Sequence, residues 1–184
     1  MIVSKGVRSK GASHPFLRYT VGMDDQIPQQ ARELLEQFFP GGARWDAELV
    51  FRQLSFMSGV AAPSSYGPRA VAAVTLPRAQ QRLRPIGRSL DGIVILDPRF
   101  GNLDTAAGLA LLAHELEHQD QWRSIPDFER QYAQENRTTP RDMPWENPFE
   151  KAAYQKERAV FCQLVADGVP RGSWTPLGVQ LWGC

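Results

Sequence analysis

The segment His114-Glu115-Leu116-Glu117-His118 contains two of the chain's three histidines, with a glutamate directly after the first. Four residues turn a helix by about 400°, so the two imidazoles lie on one face, one turn apart. Side chains so placed can bind one zinc ion, and Glu115, rotated by about 100°, can reach a water molecule beside it. Zinc lowers the pKa of that water, and a carboxylate can take its proton. The motif predicts a metal site at His114 and His118, with Glu115 as the catalytic acid and base.

The residues around the motif indicate that its helix is buried. Apolar side chains surround the histidines at Leu109, Leu111, Leu112, Ala113 and Leu116. A cluster of glutamate and histidine inside a protein costs several kcal/mol unless it is paired or metal-bound. The alternative is a pair of ordinary surface histidines, but an exposed helix would have polar neighbours here. The apolar context therefore favours the metal site.

A hydrolytic zinc site uses three protein ligands, so a third ligand has to be found. The third histidine of the metzincin pattern is absent, because Ser124 stands at its position and Gln121 replaces the expected glycine. Glu150, in the first turn of a later predicted helix, is the best remaining candidate. It could instead serve only to close a capping box at the start of that helix. Glu146 and Glu157 remain rivals for the ligand position.

Helical spacing of apolar residues, together with capping residues, marks four segments. A first helix follows the caps Asp24 and Asp25 and ends at "PGG" (40–42). A long helix covers 106–122 after Asp104 or Thr105, and a shorter one lies around 127–136. Another long helix covers 147–167, with Asn147 as N-cap and Pro148 at its first position.

The region from 45 to 96 has a different pattern, typical of strands. "AELVFRQ", "AVAAVTL" and "GIVIL" contain alternating or β-branched residues and are separated by turn signals. We expect an α+β fold in which a small, mostly antiparallel sheet packs on the two long helices. Five arginines in this region form either an exposed loop surface or a basic patch for an acidic partner: Arg69, Arg78, Arg82, Arg84 and Arg88.

Length and composition restrict the class of protein. The 184 residues suit a loose N-terminal arm at 1–20 followed by one domain at 21–184. A formal charge of +1 gives no general attraction to nucleic acid or to an anionic membrane. No apolar run reaches the roughly 18 residues of a membrane span, and we expect no signal peptide. We expect a protein that is cytoplasmic or exported by a dedicated, non-classical system.

The two cysteines cannot form a framework of several disulfides. Cys162 lies in the apolar run "AVFCQLV", where a buried, inert thiol is the ordinary interpretation. Cys184, the last residue of the sequence, is either free or paired with Cys162. The apolar tail from 171 to 184 is expected to pack back on the body of the protein.

Peptide hydrolysis also requires a group that stabilises the oxyanion. Tyr154 lies one helical turn after Glu150, with Arg158 a further turn along the same face. Tyr132 and Arg137, in the shorter helix, are rivals. Tyr154 could equally be a packing residue on the face of its helix.

The segments "GLALLAHELEHQDQW" (108–122) and "NPFEKAAYQKE" (147–157) resemble a family of bacterial gluzincin-type metallopeptidases. They also look similar to metallopeptidase-like core domains associated with extracellular contractile injection systems. The similarity spans roughly 24–165 and is most specific at the metal motif. It implies a zincin-like pair of long helices, one zinc ion held by His114, His118 and Glu150, and Glu115 as acid and base.

These observations predict a zinc-dependent metallopeptidase that acts on a peptide or protein substrate, with secretion or injection machinery as a possible partner. One alternative is a catalytically weak or inactive zinc-fold module that serves in binding or export recognition. The presence of Glu115 favours the enzyme, because a structural zinc site does not need that carboxylate. Another alternative is hydrolysis of a different amide, such as one in a cell-wall peptide.

Overall fold

The computed structural model describes residues 26–42, 45, 47–51, 73–77, 92–140 and 143–184. The predicted N-terminal arm, the caps Asp24 and Asp25 and the five arginines lie outside the described residues. No helix in the described ranges is both long enough and apolar enough to cross a bilayer. The elements are α1 (Gln29–Leu35), β1 (Glu48–Phe51), β2 (Ala73–Pro77), β3 (Gly92–Leu96), α2 (Ala106–Ser124), α3 (Phe128–Thr138), α4 (Pro148–Ala166) and α5 (Leu177–Trp182), with short 3-10 turns at Glu36–Phe38 and Pro144–Glu146.

Helix α2 lies between the sheet and α4 and is buried on nearly every side. Because both of its faces are covered, the first half of its sequence, from 106 to 113, is apolar around the whole helix. Each fully buried large apolar side chain contributes roughly 1.5–3 kcal/mol relative to an exposed one. Packing on both faces therefore fixes the helix that contains the two histidines. The shared core includes Leu109, Leu112 and Leu116 of α2, Val94 and Leu96 of β3, and Val160, Phe161 and Leu164 of α4.

The first turn of α2 is held by three local features. Thr105, one of the two expected caps, accepts a hydrogen bond from the backbone N–H of Gly108 at 3.2 Å. A Cβ at Gly108 would lie 1.9 Å from the carbonyl oxygen of Asn102, so only glycine allows this close approach. The carbonyl of Pro170 accepts from the N–H of Ala106 at 2.7 Å. These contacts satisfy donors that a helix start otherwise leaves unpaired.

The fold is α+β, as expected, but the prediction of a mostly antiparallel sheet is wrong. The sheet is mixed, with the order β1-β3-β2. β1 pairs with β3 in parallel, with Glu48 opposite Ile93, whereas β2 pairs with β3 antiparallel, with Ala73 opposite Leu96. Forty residues (52–91) separate β1 from β3, a length that allows the crossover that parallel pairing requires. The central strand β3 is buried at all five residues, which explains its uninterrupted apolar run "GIVIL".

Helix α4 begins where its sequence predicts. Asn147 is fully buried, and its side chain accepts from the backbone N–H of Phe149 at 2.9 Å. Pro148 takes the first helical position, where its missing N–H removes no hydrogen bond. Since this start is fixed by local chemistry, the direction of the first-turn residue Glu150 is fixed with it.

The C-terminal segment packs back on the body, as expected. Trp174 donates from its indole nitrogen to the carbonyl of Phe100 at 3.0 Å, and α5 lies against α4. A Cβ at Gly178 would lie 2.2 Å from the carbonyl oxygen of Tyr154, so glycine permits this close packing of the two helices. The interpretation of Cys162 as an inert buried thiol is wrong, because a disulfide joins it to Cys184. The bond ties the end of the chain to α4.

Loss of this disulfide should destabilise the protein. It closes a loop with a sequence separation of 22 residues. Closure of a loop of this size lowers the entropy of the unfolded chain by an amount worth about 3 kcal/mol. We expect Cys162→Ser, or reduction by a dithiol, to lower the free energy of unfolding in urea by about that amount. An unchanged unfolding midpoint after thiol titration has verified full reduction would contradict a stabilising disulfide.

Candidate metal site

Two histidines of α2 and one glutamate of α4 converge at the interface of these helices. Their candidate ligand atoms all lie within 4.8 Å of one another. The Nε2 atom of His114 is 3.5 Å from Oε2 of Glu150, and Nε2 of His118 is 3.5 Å from Oε1. Both histidines are buried, and the side chain of Glu150 is only 14% exposed. Within the described part of the chain this is the group that could hold a metal ion, and its members are the three expected ones.

The rival ligands lie elsewhere. Glu146 is exposed in the 3-10 turn before α4. Glu157 is 2% exposed and shares the inward face of α4, but its carboxylate accepts from the N–H of Gly178 at 3.0 Å. Burial raises the pKa of Glu157, although the charge of His114 acts in the opposite direction. The carboxylate of Glu157 is engaged by Gly178, and Glu157 is not a member of the three-residue group.

Gln121 sets the orientation of His118. Its side-chain nitrogen donates to the carbonyl oxygen of Phe149 at 2.9 Å, which turns its oxygen towards Nδ1 of His118, also at 2.9 Å. Because an amide oxygen only accepts, Nδ1 must carry the proton. When His118 is neutral, as a metal ligand must be, its lone pair is therefore on Nε2, the atom that faces Glu150. Sequence reasoning missed this role, although Gln121 follows His118 by three residues and so shares its helix face.

Charges in the site shift the pKa values of its members in opposite directions. Burial would lower the pKa of His118, but the hydrogen bond and charge of Glu150 outweigh it and raise the pKa to about 9. The pKa of His114 is raised against burial by the same partner. Burial would raise the pKa of Glu150, yet the two histidines lower it well below its ordinary value. In the absence of an ion, the site thus favours a negative carboxylate with protonated imidazole beside it.

Glu115 is buried next to this group without belonging to it. Its Oε2 accepts a hydrogen bond from the Thr75 hydroxyl at 2.6 Å, and its charge helps to raise the pKa of both histidines against the effect of burial. Thr75 lies on β2, so the sheet positions this carboxylate. No local pattern indicated Thr75, because the two residues are 40 apart in sequence.

Two tyrosines flank the histidines. The Tyr154 ring lies 4.6 Å from the His114 ring, measured between centroids. The hydroxyl of Tyr132 donates a hydrogen bond to Oε1 of Glu150. Burial and the Glu150 charge both raise the pKa of Tyr132, which keeps its hydroxyl protonated.

The two cationic candidates near the tyrosines lie outside this arrangement. Arg137 is exposed on α3. Arg158 donates to the carbonyl of Gly183 and so secures the end of the chain. Of the four expected candidates for the oxyanion role, only the tyrosines therefore contact members of the three-residue group.

Comparison with known proteins assigns this chain to no known family. No protein-family model matches the chain, and neither the curated proteins nor the solved structures contain a significant match. The residues and their geometry are therefore the only basis for assigning a function.

The metal-free protein should lose stability as the pH rises from neutral to alkaline. The pKa of His118 is about 9 in the folded state and about 6.5 in the unfolded chain. Protonation of His118 therefore adds to the free energy of unfolding fully below about pH 6.5, and this contribution is lost as the pH rises through about 9. Chemical denaturation in the presence of a metal chelator, measured across this pH range, should show the fall in the free energy of unfolding. Glu150→Gln removes the largest contribution that raises the two histidine pKa values, so the stability of the variant should depend less on pH. Parallel pH profiles for the wild type and the variant would contradict this coupling.

Proposed function

We propose that this protein is a zinc-dependent hydrolase, a metallopeptidase of the gluzincin type. The supporting observation is that His114, His118 and Glu150 converge while a further carboxylate, Glu115, is held beside them. A purely structural zinc site almost always has four protein ligands. It does not need a separate carboxylate placed next to the histidines.

The donor set fits zinc. Two imidazole nitrogens and one carboxylate oxygen are typical zinc ligands, whereas calcium and magnesium prefer oxygen donors throughout. Three protein ligands leave one position for water or substrate, as hydrolytic zinc sites require. Gln121 supports this fit because it keeps the lone pair of His118 on Nε2, the atom that faces Glu150.

A zinc ion at this position would lower the pKa of a bound water molecule towards about 7 and polarise a substrate carbonyl. Glu115 would then take a proton from the attacking water and later give it to the leaving amine. Thr75 holds Oε2 of Glu115 at 2.6 Å, which leaves the other carboxylate oxygen for the proton transfers. The strand thereby keeps the acid and base in a single orientation.

The proposal assigns the oxyanion role to Tyr154. The hydroxyl proton of Tyr132 is engaged by Glu150, whereas Tyr154 lies directly beside the His114 ring. A phenol that contacts the substrate oxygen would stabilise the charge that develops there. In this scheme Tyr132 acts on a ligand and Tyr154 acts on the substrate.

The substrate class is peptide amides, including those of proteins and cell-wall peptides. The packing of α2 against α4, with one ligand pair on the first helix and one ligand on the second, is consistent with a zincin-like arrangement. The Cys162–Cys184 disulfide favours an oxidising compartment over the cytoplasm. Export through a dedicated secretion or injection system would meet that condition.

Glu115→Gln provides the test of this function. The substitution keeps the size and the acceptor oxygen for Thr75 but removes the base, so zinc content and melting temperature should stay near those of the wild type. Hydrolysis of a peptide library should fall by at least about 10²-fold, the usual contribution of a general acid and base. A chelator should abolish wild-type cleavage, and added zinc should restore it.

Two results would contradict the proposal in different ways. If zinc-loaded wild type cleaves no member of a broad peptide and cell-wall panel, the chain is better described as a zinc-fold binding module. If Glu115→Gln cleaves as fast as the wild type, the protein is a hydrolase but Glu115 is not its base.

A further inference from the structure

The hydroxyl of Tyr132 contacts one oxygen of the candidate ligand Glu150. Tyr132 lies on α3 and Glu150 in the first turn of α4, 18 positions later in the sequence. A hydrogen bond to Oε1 leaves Oε2, which faces Nε2 of His114 at 3.5 Å, as the less engaged oxygen. Whether Tyr132 can hold Glu150 in this way depends on where its hydroxyl proton must point.

A chain of hydrogen bonds behind Tyr132 fixes that direction. It starts at the backbone N–H of Phe149, which can only donate and does so to Oδ1 of Asn147 at 2.9 Å. The amide nitrogen of Asn147 therefore donates to Oδ1 of Asn136 at 2.8 Å. With its Oδ1 engaged by Asn147, Asn136 has only its amide nitrogen to offer to Tyr132, and this side chain lowers the pKa of the phenol against the larger effect of burial. The proton of the phenol is left to point at Glu150.

The same residue, Phe149, also anchors the orientation of a second ligand. Its carbonyl accepts from Gln121, whose oxygen in turn fixes the tautomer of His118. Its ring packs against Phe128 at 5.0 Å and Tyr132 at 6.2 Å between centroids. Both polar groups of one backbone position are thus committed to orienting ligands, and aromatic packing keeps that position in place.

We propose that Tyr132 is a positioning residue for the metal site, directed by Asn136 and anchored at Phe149. Its hydroxyl holds Glu150 so that a single oxygen faces the ion. The inference rests on the proposed zinc function, since it assigns α3 to the control of metal affinity. Hydrogen bonds behind metal ligands raise metal affinity by about 10–100-fold in other sites.

The first test is the zinc dissociation constant of Tyr132→Phe, measured by competition with a chromophoric chelator. The variant keeps the ring that packs on Phe128 and Phe149, at centroid distances of 5.6 Å and 6.2 Å, and loses only the hydroxyl. We expect zinc to bind about 10–100-fold more weakly. The metal-free variant should also melt at a lower temperature, because Glu150 loses one hydrogen bond, but His114 and His118 still pair with it. The zinc dissociation constant is the deciding measurement, since a merely structural role would lower the melting temperature and leave the affinity unchanged.

The second test changes the group that faces Tyr132 at the end of this chain of hydrogen bonds. Asn136→Asp keeps the acceptor for Asn147 but replaces the donor to Tyr132 with a carboxylate, so the phenol should turn its proton away from Glu150. Zinc should therefore bind more weakly, although an added negative charge alone would attract a cation more strongly. Gln134→Glu is the matched control, because it adds the same charge at an exposed position of the same helix.

The outcomes separate the inference from the function on which it rests. Weaker binding in Tyr132→Phe and Asn136→Asp, with no further loss when the two are combined, supports the positioning role. An unchanged dissociation constant in Tyr132→Phe, or tightening in Asn136→Asp equal to that in Gln134→Glu, overturns it while wild-type zinc binding still stands. A wild type that does not bind zinc overturns the proposed function itself.

Discussion

The rest of the site depends on the contact between α2 and the first turn of α4, which places a carboxylate between two imidazoles at a buried helix interface. An ionised carboxylate in such surroundings costs several kcal/mol unless it is paired and hydrogen-bonded. Glu150 meets this requirement through His114, His118 and the hydroxyl of Tyr132. These partners hold the carboxylate where a metal ion could replace the protons that now balance its charge.

This arrangement requires that both helices be fixed along their length. α2 is held by apolar packing on its two faces, and its first turn is closed by Pro170 and Arg171 from the C-terminal segment. α4 is held at its start by the Asn147 cap and near its end by the disulfide at Cys162. The C-terminal segment therefore stabilises the two helices that supply the ligands, although none of its residues belongs to the ligand group.

The parts of the fold that depend on local chemistry could be predicted from the sequence. The caps Thr105 and Asn147 and the proline at 148 set the starts of α2 and α4, and spacing within α2 put His114 and His118 on one face. The parallel pairing of β1 with β3 could not be predicted, because it joins residues far apart in the sequence. The same reason applies to the disulfide.

The candidate site shows the same division. His114, His118 and Glu150 were predicted because the first two have a characteristic spacing and the third begins a well-marked helix. Thr75 and Tyr132 contact Glu115 and Glu150 only through packing of other elements, so the sequence did not indicate those partners. The contact of Gln121 with His118 could have been predicted, because the two residues share one face of α2. Its second partner, the carbonyl of Phe149 on α4, could not be predicted from the sequence.

The most direct test of the account is the zinc content of three matched proteins after equilibrium dialysis against buffered free zinc. Glu150 and Glu157 lie two turns apart on the same inward face of α4, but only Glu150 belongs to the three-residue group. We predict one zinc per chain in the wild type and in Glu157→Gln, with most of it lost in Glu150→Gln. Full zinc retention in Glu150→Gln together with loss in Glu157→Gln would show that the third ligand, and with it the geometry of the site, has been assigned wrongly.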